Sequence, residues 1–479
     1  MKSPQYLYFK IRFTFPIIIG ASLLLLFSFS TELLSESYSG YLWDDYKAQT
    51  DWGRVKVRSI TRLEESKPER EEGFGFYHKI FGAGVFRSQK GGENKDEAGK
   101  YIGAVTGNPQ FGFYYQSGSS FLSMTLAPRV IASESKLIEE KRNSVWDAEG
   151  IVSMGTTVQN VRVNLEGGRG WQRLDGFGFL FNGMANYGQI QLAKNEIISL
   201  SLISLRMKPE EESFNPKAWN YQRKEIWGGA IRSNDLLFWE NLQFFGYVYK
   251  EPKLVTSDNQ LTPNSTFGAF LYTGFEFRSK NFWENTSVDL SVIRLTGNRK
   301  FKSYPWEESK QSTNSILAYA SVHGELQNIL LSLSGLYTKK DKKERSDSES
   351  NGYAAPLAEP RVMGGYSSFL LYESVSLTND RVFYDILDKK TPGFENKGIR
   401  MIGIQSGYQF YSFLRGDIFI NRSYSEMGKG TEIILKTTSH LEQWVNGFIS
   451  ASVAYAKVEQ NGENNREFFR IYLSSGFQF

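Results

Sequence analysis

The sequence predicts an all-β fold, a transmembrane antiparallel β-barrel of eighteen strands, with sixteen as the alternative, since bacterial single-chain barrels use even numbers. Three observations predict it. The first is the end of the chain. Counting back from Phe479, alternate residues are Phe477, Ser475, Leu473, Ile471 and Phe469, and between them lie Gln478, Gly476, Ser474, Tyr472 and Arg470. Period-2 alternation over about ten residues is what a membrane-spanning strand needs, because its side chains face lipid and lumen in turn. The second is composition. Aromatic residues make up 15% of 479 positions, yet mean hydropathy is only −0.40. Aromatic girdles on strands that are half wetted give that combination. The third is rhythm, with alternating segments joined by tight turns and long polar stretches in turn.

The amino terminus reads as a targeting segment over residues 1–37. Lys2, Lys10 and Arg12 precede an apolar run at 15–29 that contains Ile17, Ile18, Ile19 and Leu23 to Leu26. The run is short for a membrane helix and is followed by polar sequence, as in a secretory signal, with Ser35, Ser37 and Ser39 near the expected cleavage point. Residues 38–479 then form one outer-membrane barrel domain. The chain has no cysteine, which removes disulfides, thiolate metal sites and a lipidation cysteine. Three histidines leave little for a histidine metal site, and a net charge of +4 does not suggest nucleic acid. No cofactor is expected.

The expected strands are 53–62, 73–86, 101–116, 121–131, 150–165, 174–181, 186–194, 197–206, 226–233 and 242–250 in the first half. They continue at 267–278, 286–295, 314–323, 326–338, 366–377, 400–410, 413–421, 431–436, 445–457 and the terminal segment. Tight turns are expected at Lys194-Asn195, Gly324-Glu325 and Tyr411-Ser412, and polar loops at 64–72, 88–100, 208–224, 298–312 and 339–360. Short turns at one rim and long polar loops at the other match the periplasmic and external ends of an outer-membrane barrel.

The lipid face must be apolar, because Arg or Lys at mid-bilayer costs about 2–4 kcal/mol. That rule turns Arg54, Lys56 and Arg58 inward on 53–62, Arg162 inward beside Val161 and Val163, Arg415 and Asp417 inward on 413–421, and Arg470 inward on the last strand. If the first and last strands meet where the barrel closes, Arg54, Lys56, Arg58 and Arg470 share one wall. The expected pore lining is Arg54, Lys56, Arg58, Arg162, Arg169, Arg173, Asp175, Arg415 and Arg470. An electropositive lumen would draw in anions. The same arginines could instead pair with lumenal Asp175, Asp289 and Asp417.

Within 161–182 a strand ends at Leu165, a glycine-rich turn carries Gly168-Arg169, and Arg173-Leu174-Asp175-Gly176 opens the next strand. On these residues the chain resembles the alginate-export family of outer-membrane barrels. The resemblance implies an eighteen-stranded channel for an anionic polysaccharide. In this chain the insertion between the two halves of the motif shrinks to Gly170-Trp171-Gln172, so the architecture carries over and alginate as the solute does not.

The expected function is therefore passive diffusion of small or anionic solutes, with small or polyanionic solute as cargo. Membrane lipid is an expected partner, and so is the barrel-assembly machinery, engaged through the strand ending in Phe479. The first alternative is a surface adhesin that uses loops 208–224 and 339–360. An outer-membrane enzyme needs a histidine poised as base. Ser439 and His440, being adjacent, point to opposite faces of a strand, and no G-x-S-x-G elbow occurs.

Overall fold

The computed structural model describes residues 72–91, 100–136, 140–194, 197–206, 225–251, 266–280, 285–303, 307–339, 349–350, 352–353, 355–356, 358, 360–372, 398–425, 428–441, 446–460 and 465–478. Nineteen strands form one sheet: β1 (Gly73–Gly91), β2 (Lys100–Ser117), β3 (Ser120–Lys136), β4 (Glu140–Val158), β5 (Val161–Arg173), β6 (Asn182–Lys194), β7 (Ile198–Arg206), β8 (Glu225–Leu236), β9 (Trp239–Glu251), β10 (Thr266–Ser279), β11 (Thr286–Ser303), β12 (Glu307–Leu326), β13 (Ile329–Thr338), β14 (Glu349–Ser350), β15 (Ile399–Tyr411), β16 (Leu414–Ser425), β17 (Gly428–His440), β18 (Asn446–Gln460) and β19 (Arg466–Gln478). The two-residue β14 lies parallel against β12 and takes no place in the wall. The other eighteen pair antiparallel with their sequence neighbours, and β1 joins β19 from Phe81↔Gln478 to Gly91↔Phe468. Closure leaves no free edge, so every wall strand has a hydrogen-bonded neighbour on both sides, the condition for a sheet in hydrocarbon. Among the described residues no helix is long and apolar enough to cross a membrane.

Alternation sorts the side chains as hydrocarbon requires. On β3, Leu122, Met124 and Leu126 face out and are exposed, while Ser123, Thr125 and Ala127 face in and are buried. On β19, Phe469, Ile471 and Leu473 face out, and Phe468, Arg470, Tyr472 and Ser474 face in. One rim is closed by tight turns at Gly118-Ser119, Gln159-Asn160, Leu237-Phe238, Gln327-Asn328 and Ser412-Phe413. Exposed aromatics crowd that rim outside, among them Phe74, Phe76, Phe238, Phe410, Tyr411 and Phe413. This is the interfacial girdle of a membrane barrel.

The inner face is layered rather than uniformly charged. Near the tight turns it is polar, with Ser287, Asp289, Ser321, His323, Ser332, Ser450, Ser452 and Ser474 buried. Toward the long loops it turns apolar, with Ile293, Leu295, Leu317, Tyr319, Leu336, Phe419, Ile434, Ala454 and Val458 buried in one cluster. The apolar layer is where loops fold into the barrel.

Several expectations need correction. The segment 150–165 is two strands, because Gln159 (φ 47) and Asn160 (φ 65) form a tight turn of left-handed residues of the kind favoured between hairpin strands. The segment 174–181 is no strand, since every residue from Leu174 to Phe181 is buried and both parities face protein. Residues 365–367 form a 3-10 turn and Phe369–Tyr372 a single helical turn, in place of a strand over 366–377. The turn expected at Gly324-Glu325 falls three residues later, at Gln327-Asn328. Part of the loop expected at 298–312 is strand, with β11 and β12 paired as far as Ser303↔Glu307. The segment 53–62 lies outside the described residues. The neighbour of the last strand is Gly73–Gly91, so the shared wall proposed for Arg54, Lys56, Arg58 and Arg470 is not where the described barrel closes.

The expected glycine turn at Gly167 to Gly170 is unbroken strand, paired with β6 throughout and with β4 as far as Arg169. Gly168 has φ 152, and a Cβ there would overlap the Gly150 carbonyl oxygen. Gly168→Ala is therefore expected to lower the stability of the refolded barrel by at least about 1–3 kcal/mol. A shift in the urea midpoint in detergent micelles checks this, and an unchanged midpoint would contradict the close approach.

Candidate functional site

Two segments fold inward from the long-loop rim and meet inside the barrel. The first, residues 174–181, begins where β5 ends at Arg173 and is closed by Leu174 N–H donating to Phe181 O at 3.1 Å. The Asp175 carboxylate accepts the backbone N–H groups of Phe179, Leu180 and Phe181 at 2.6, 2.9 and 3.2 Å. A short polar side chain that satisfies its own loop is the usual device for a tight turn. Burial pushes the Asp175 carboxyl above the ordinary carboxylate range, while those three bonds and nearby Arg173 pull it back. Glu276, on the inner face of β10, accepts Gly176 N–H at 2.9 and 3.0 Å, tying the loop to the wall. Gln243 on β9 donates to Leu174 O at 3.3 Å. Phe177 and Phe179 pack on Tyr319 of β12, with ring centroids 5.0 and 5.5 Å apart.

The second segment comprises the described residues between Tyr353 and Tyr372. Tyr353 Oη donates to Phe179 O at 3.2 Å, and Arg361 N–H donates to Phe177 O at 3.0 Å, so the two segments form one inner body. At its far end Glu432, on the inner face of β17, accepts Ser368 Oγ–H at 2.5 Å, Phe369 N–H at 2.8 Å and Leu370 N–H at 3.3 Å. Asn421 on β16 donates to the same carboxylate at 2.7 Å and to Met363 O at 2.8 Å. Ser367 Oγ lies 2.7 Å from Ser452 Oγ on β18. The Arg470 guanidinium stacks 3.9 Å above the Phe369 ring, a cation–π contact strengthened by desolvation.

The charged side chains of the inner wall form local pairs. Arg278 donates to Asp289 from Nε at 3.2 Å and from Nη2 at 3.4 Å. His323 Nε2 is 3.1 Å from Asp289 Oδ2, and its Nδ1 is 2.8 Å from Ser332 Oγ. This Ser-His-Asp order superficially resembles a nucleophile relay. However, Ser332 is only 4% exposed and all three side chains are buried, so the group is built as a wall network. Arg415 Nε donates to Asp417 Oδ1 at 3.1 Å, and Gln405 donates to the same oxygen at 3.0 Å. Arg232 Nε donates to Gln243 Oε1 at 3.0 Å.

Of the residues expected at the pore, Arg173 and Asp175 lie together at the root of the first inner segment, both buried. Arg470 stands under the second segment, opposite Ala454 and Gln89. Arg162 and Arg415 lie near the tight-turn rim, with Arg162 5.8 Å above the Phe121 ring. Arg169 is paired between Gly150 and Asn186 on the outward register, so the wall faces it away from the lumen. Arg54, Lys56 and Arg58 lie outside the described residues. The set is thus spread over the wall rather than gathered in one ring. The wall residues that hold the inner body, Glu276 and Glu432, carried a signal that went unread. Each is a carboxylate at an inward position, Glu276 between Phe275 and Phe277 and Glu432 between Thr431 and Ile433, where only a buried partner makes it tolerable.

No family model and no curated protein matches the chain by sequence. Solved structures match it by shape. OccK2 (OpdF) of Pseudomonas aeruginosa, solved in complex with glucuronate, aligns with a TM-score of 0.51 over 85% of this chain and 100% of its own, at 11% identity. The outer membrane protein OpdK of the same organism aligns with a TM-score of 0.50 over 84% and 99%, at 10% identity. OccK9 (OpdG), also from P. aeruginosa, gives 0.50 over 84% and 98%, at 10% identity. The fold is that of an outer-membrane barrel.

Glu432→Ala removes the common acceptor of Ser368, Phe369 and Leu370, which is expected to weaken docking of the second segment by about 3 kcal/mol. The barrel should still migrate as a folded, heat-modifiable species, while current through single barrels in a planar bilayer becomes noisier. Wild-type noise in this variant would mean that apolar packing alone holds the segment.

Proposed function

We propose that the protein is a passive outer-membrane channel for small or anionic solutes, constricted by its two inward-folded segments. The observation that carries this reading is the closed eighteen-strand wall, since barrels of about sixteen to eighteen strands are too wide to be filled by wall side chains alone and leave an aqueous lumen. Inward arginines on widely separated strands, Arg162, Arg173, Arg232, Arg278, Arg415 and Arg470, favour anions over cations. Asp175, Glu276, Asp289, Asp417 and Glu432, also inward, offset most of that charge. Glucuronate, bound by one barrel of the same fold, supports a sugar acid or similar small carboxylate as the solute class.

Against a surface adhesin, the described part of 339–360 turns inward, with Tyr353 and Ala358 fully buried. The other adhesin loop, 208–224, lies outside the described residues. No catalytic role is assigned. A targeting segment at 1–37, a single barrel domain over 38–479 and delivery to the assembly machinery through the strand ending in Phe479 complete the reading, and Arg54, Lys56 and Arg58 remain proposed lumenal residues.

Reversal potentials of the refolded protein in a planar bilayer under a salt gradient test it. The expected result is ion conduction with chloride more permeant than potassium. Preferential passage of potassium would overturn the anionic preference, and a folded but silent barrel would overturn the channel itself.

A further inference from the structure

Around β15 to β18 the outer surface changes character abruptly along the strands. Ile402 and Ile404, Ile418 and Ile420, Ile433 and Leu435, and Val453 are outward and exposed, a surface for hydrocarbon chains. Toward the long-loop rim tyrosines join the outward rows, Tyr337 on β13, Tyr424 on β16 and Tyr455 on β18, each about two-fifths exposed. Tyrosines in that position mark the membrane interface. Among them, in two adjacent outward rows, stand Arg422 and Lys457, level with Ile402 and Thr431, and Arg400 and Lys429, level with Tyr424, all exposed. The register sets them side by side on four consecutive strands, through Arg400↔Tyr424, Tyr424↔Lys429, Arg422↔Thr431 and Thr431↔Lys457. Neighbouring strands are about 4.8 Å apart, so the patch spans about 14 Å of rim.

The carboxylates nearby are Glu459, which takes Lys429 at 2.7 Å, and Glu467, opposite Lys457. Four cations thus face two carboxylates. Arg400, Arg422 and Lys457 form no ion pair among the described residues, and Arg422 instead stacks 5.2 Å above the Tyr424 ring. On another part of the same rim Arg206 is neutralised by Glu225 at 2.9 Å.

We propose that Arg400, Arg422, Lys429 and Lys457 form a binding site for the phosphorylated headgroups of lipid in the leaflet on the long-loop side. The site rests on the reading of the chain as a membrane barrel. Its occupant follows from position. Whatever meets these cations sits directly above side chains solvated by acyl chains, and a lipid phosphate is the anion that membrane geometry delivers there. Guanidinium groups bind phosphate oxygens in pairs, and the tyrosine row fixes headgroup depth.

Native mass spectrometry of the detergent-extracted barrel tests the site. The probes are a bis-phosphorylated glucosamine lipid, its dephosphorylated form, phosphatidylcholine and inorganic phosphate. With about 1 kcal/mol per cation near an anionic surface, the triple variant R400Q/R422Q/K457Q should bind the bis-phosphorylated lipid about 100-fold more weakly. R400K/R422K, which keeps the charge, should retain most of the binding and guards against a folding defect, scored separately by heat-modifiable migration. Equal retention of the phosphorylated and dephosphorylated lipids, or unchanged binding by the triple variant, would overturn the proposal. Binding of inorganic phosphate without preference for the lipid would overturn it as well. Failure of the wild type to insert into neutral phosphatidylcholine vesicles would instead strike the membrane reading beneath it.

Discussion

Backbone folded into the lumen of a barrel must find hydrogen-bond acceptors there, and two wall carboxylates supply them. Glu276 takes the Gly176 N–H of the first inner segment, and Glu432 takes Ser368, Phe369 and Leu370 of the second. Asp175 satisfies three further N–H groups from within the loop. Buried donors left unpaired cost about 1–3 kcal/mol each, so removing these carboxylates would weaken the hold of the wall on the inner body. The apolar layer of the inner face, with Tyr319, Phe419 and Ile434, then packs the phenylalanines those segments carry. A barrel that would otherwise be an open tube acquires a shaped interior.

The same arrangement explains the distribution of charge. Arg278 with Asp289, Arg415 with Asp417 and Arg470 against Phe369 each meet a local partner. Charge on the wall is therefore met locally at different depths rather than gathered in a single ring of cations. A solute moving through it would exchange contacts stepwise, which suits diffusion better than tight capture.

The wall was largely legible in the sequence because hydrocarbon imposes a strict period of two. On β19 the alternation of Phe469, Ile471 and Leu473 against Arg470, Tyr472 and Ser474 could be read residue by residue. Legibility failed where that constraint lapses. Phe177, Phe179 and Phe181 alternate like a strand, but they serve packing inside the lumen, where both parities are buried. Gln159-Asn160 turns the chain without glycine or proline, so two strands read as one. Gly167 to Gly170 read as a turn although the chain runs straight through them, and that error placed Arg169 on the wrong face. Glu276 and Glu432 escaped notice because their partners are backbone groups far away in sequence, which no local pattern encodes.

The second inner segment is expected to stay docked on the wall while the barrel conducts. The chain has no native cysteine, and Ser367 Oγ and Ser452 Oγ lie 2.7 Å apart, so S367C/S452C can staple segment to wall. Single-channel conductance of this variant, oxidised and then reduced, is the most direct measurement. The same open current, equal to wild type, is expected in both states. A current that collapses on oxidation and returns on reduction would contradict it, because the segment would then have to leave the wall for solute to pass.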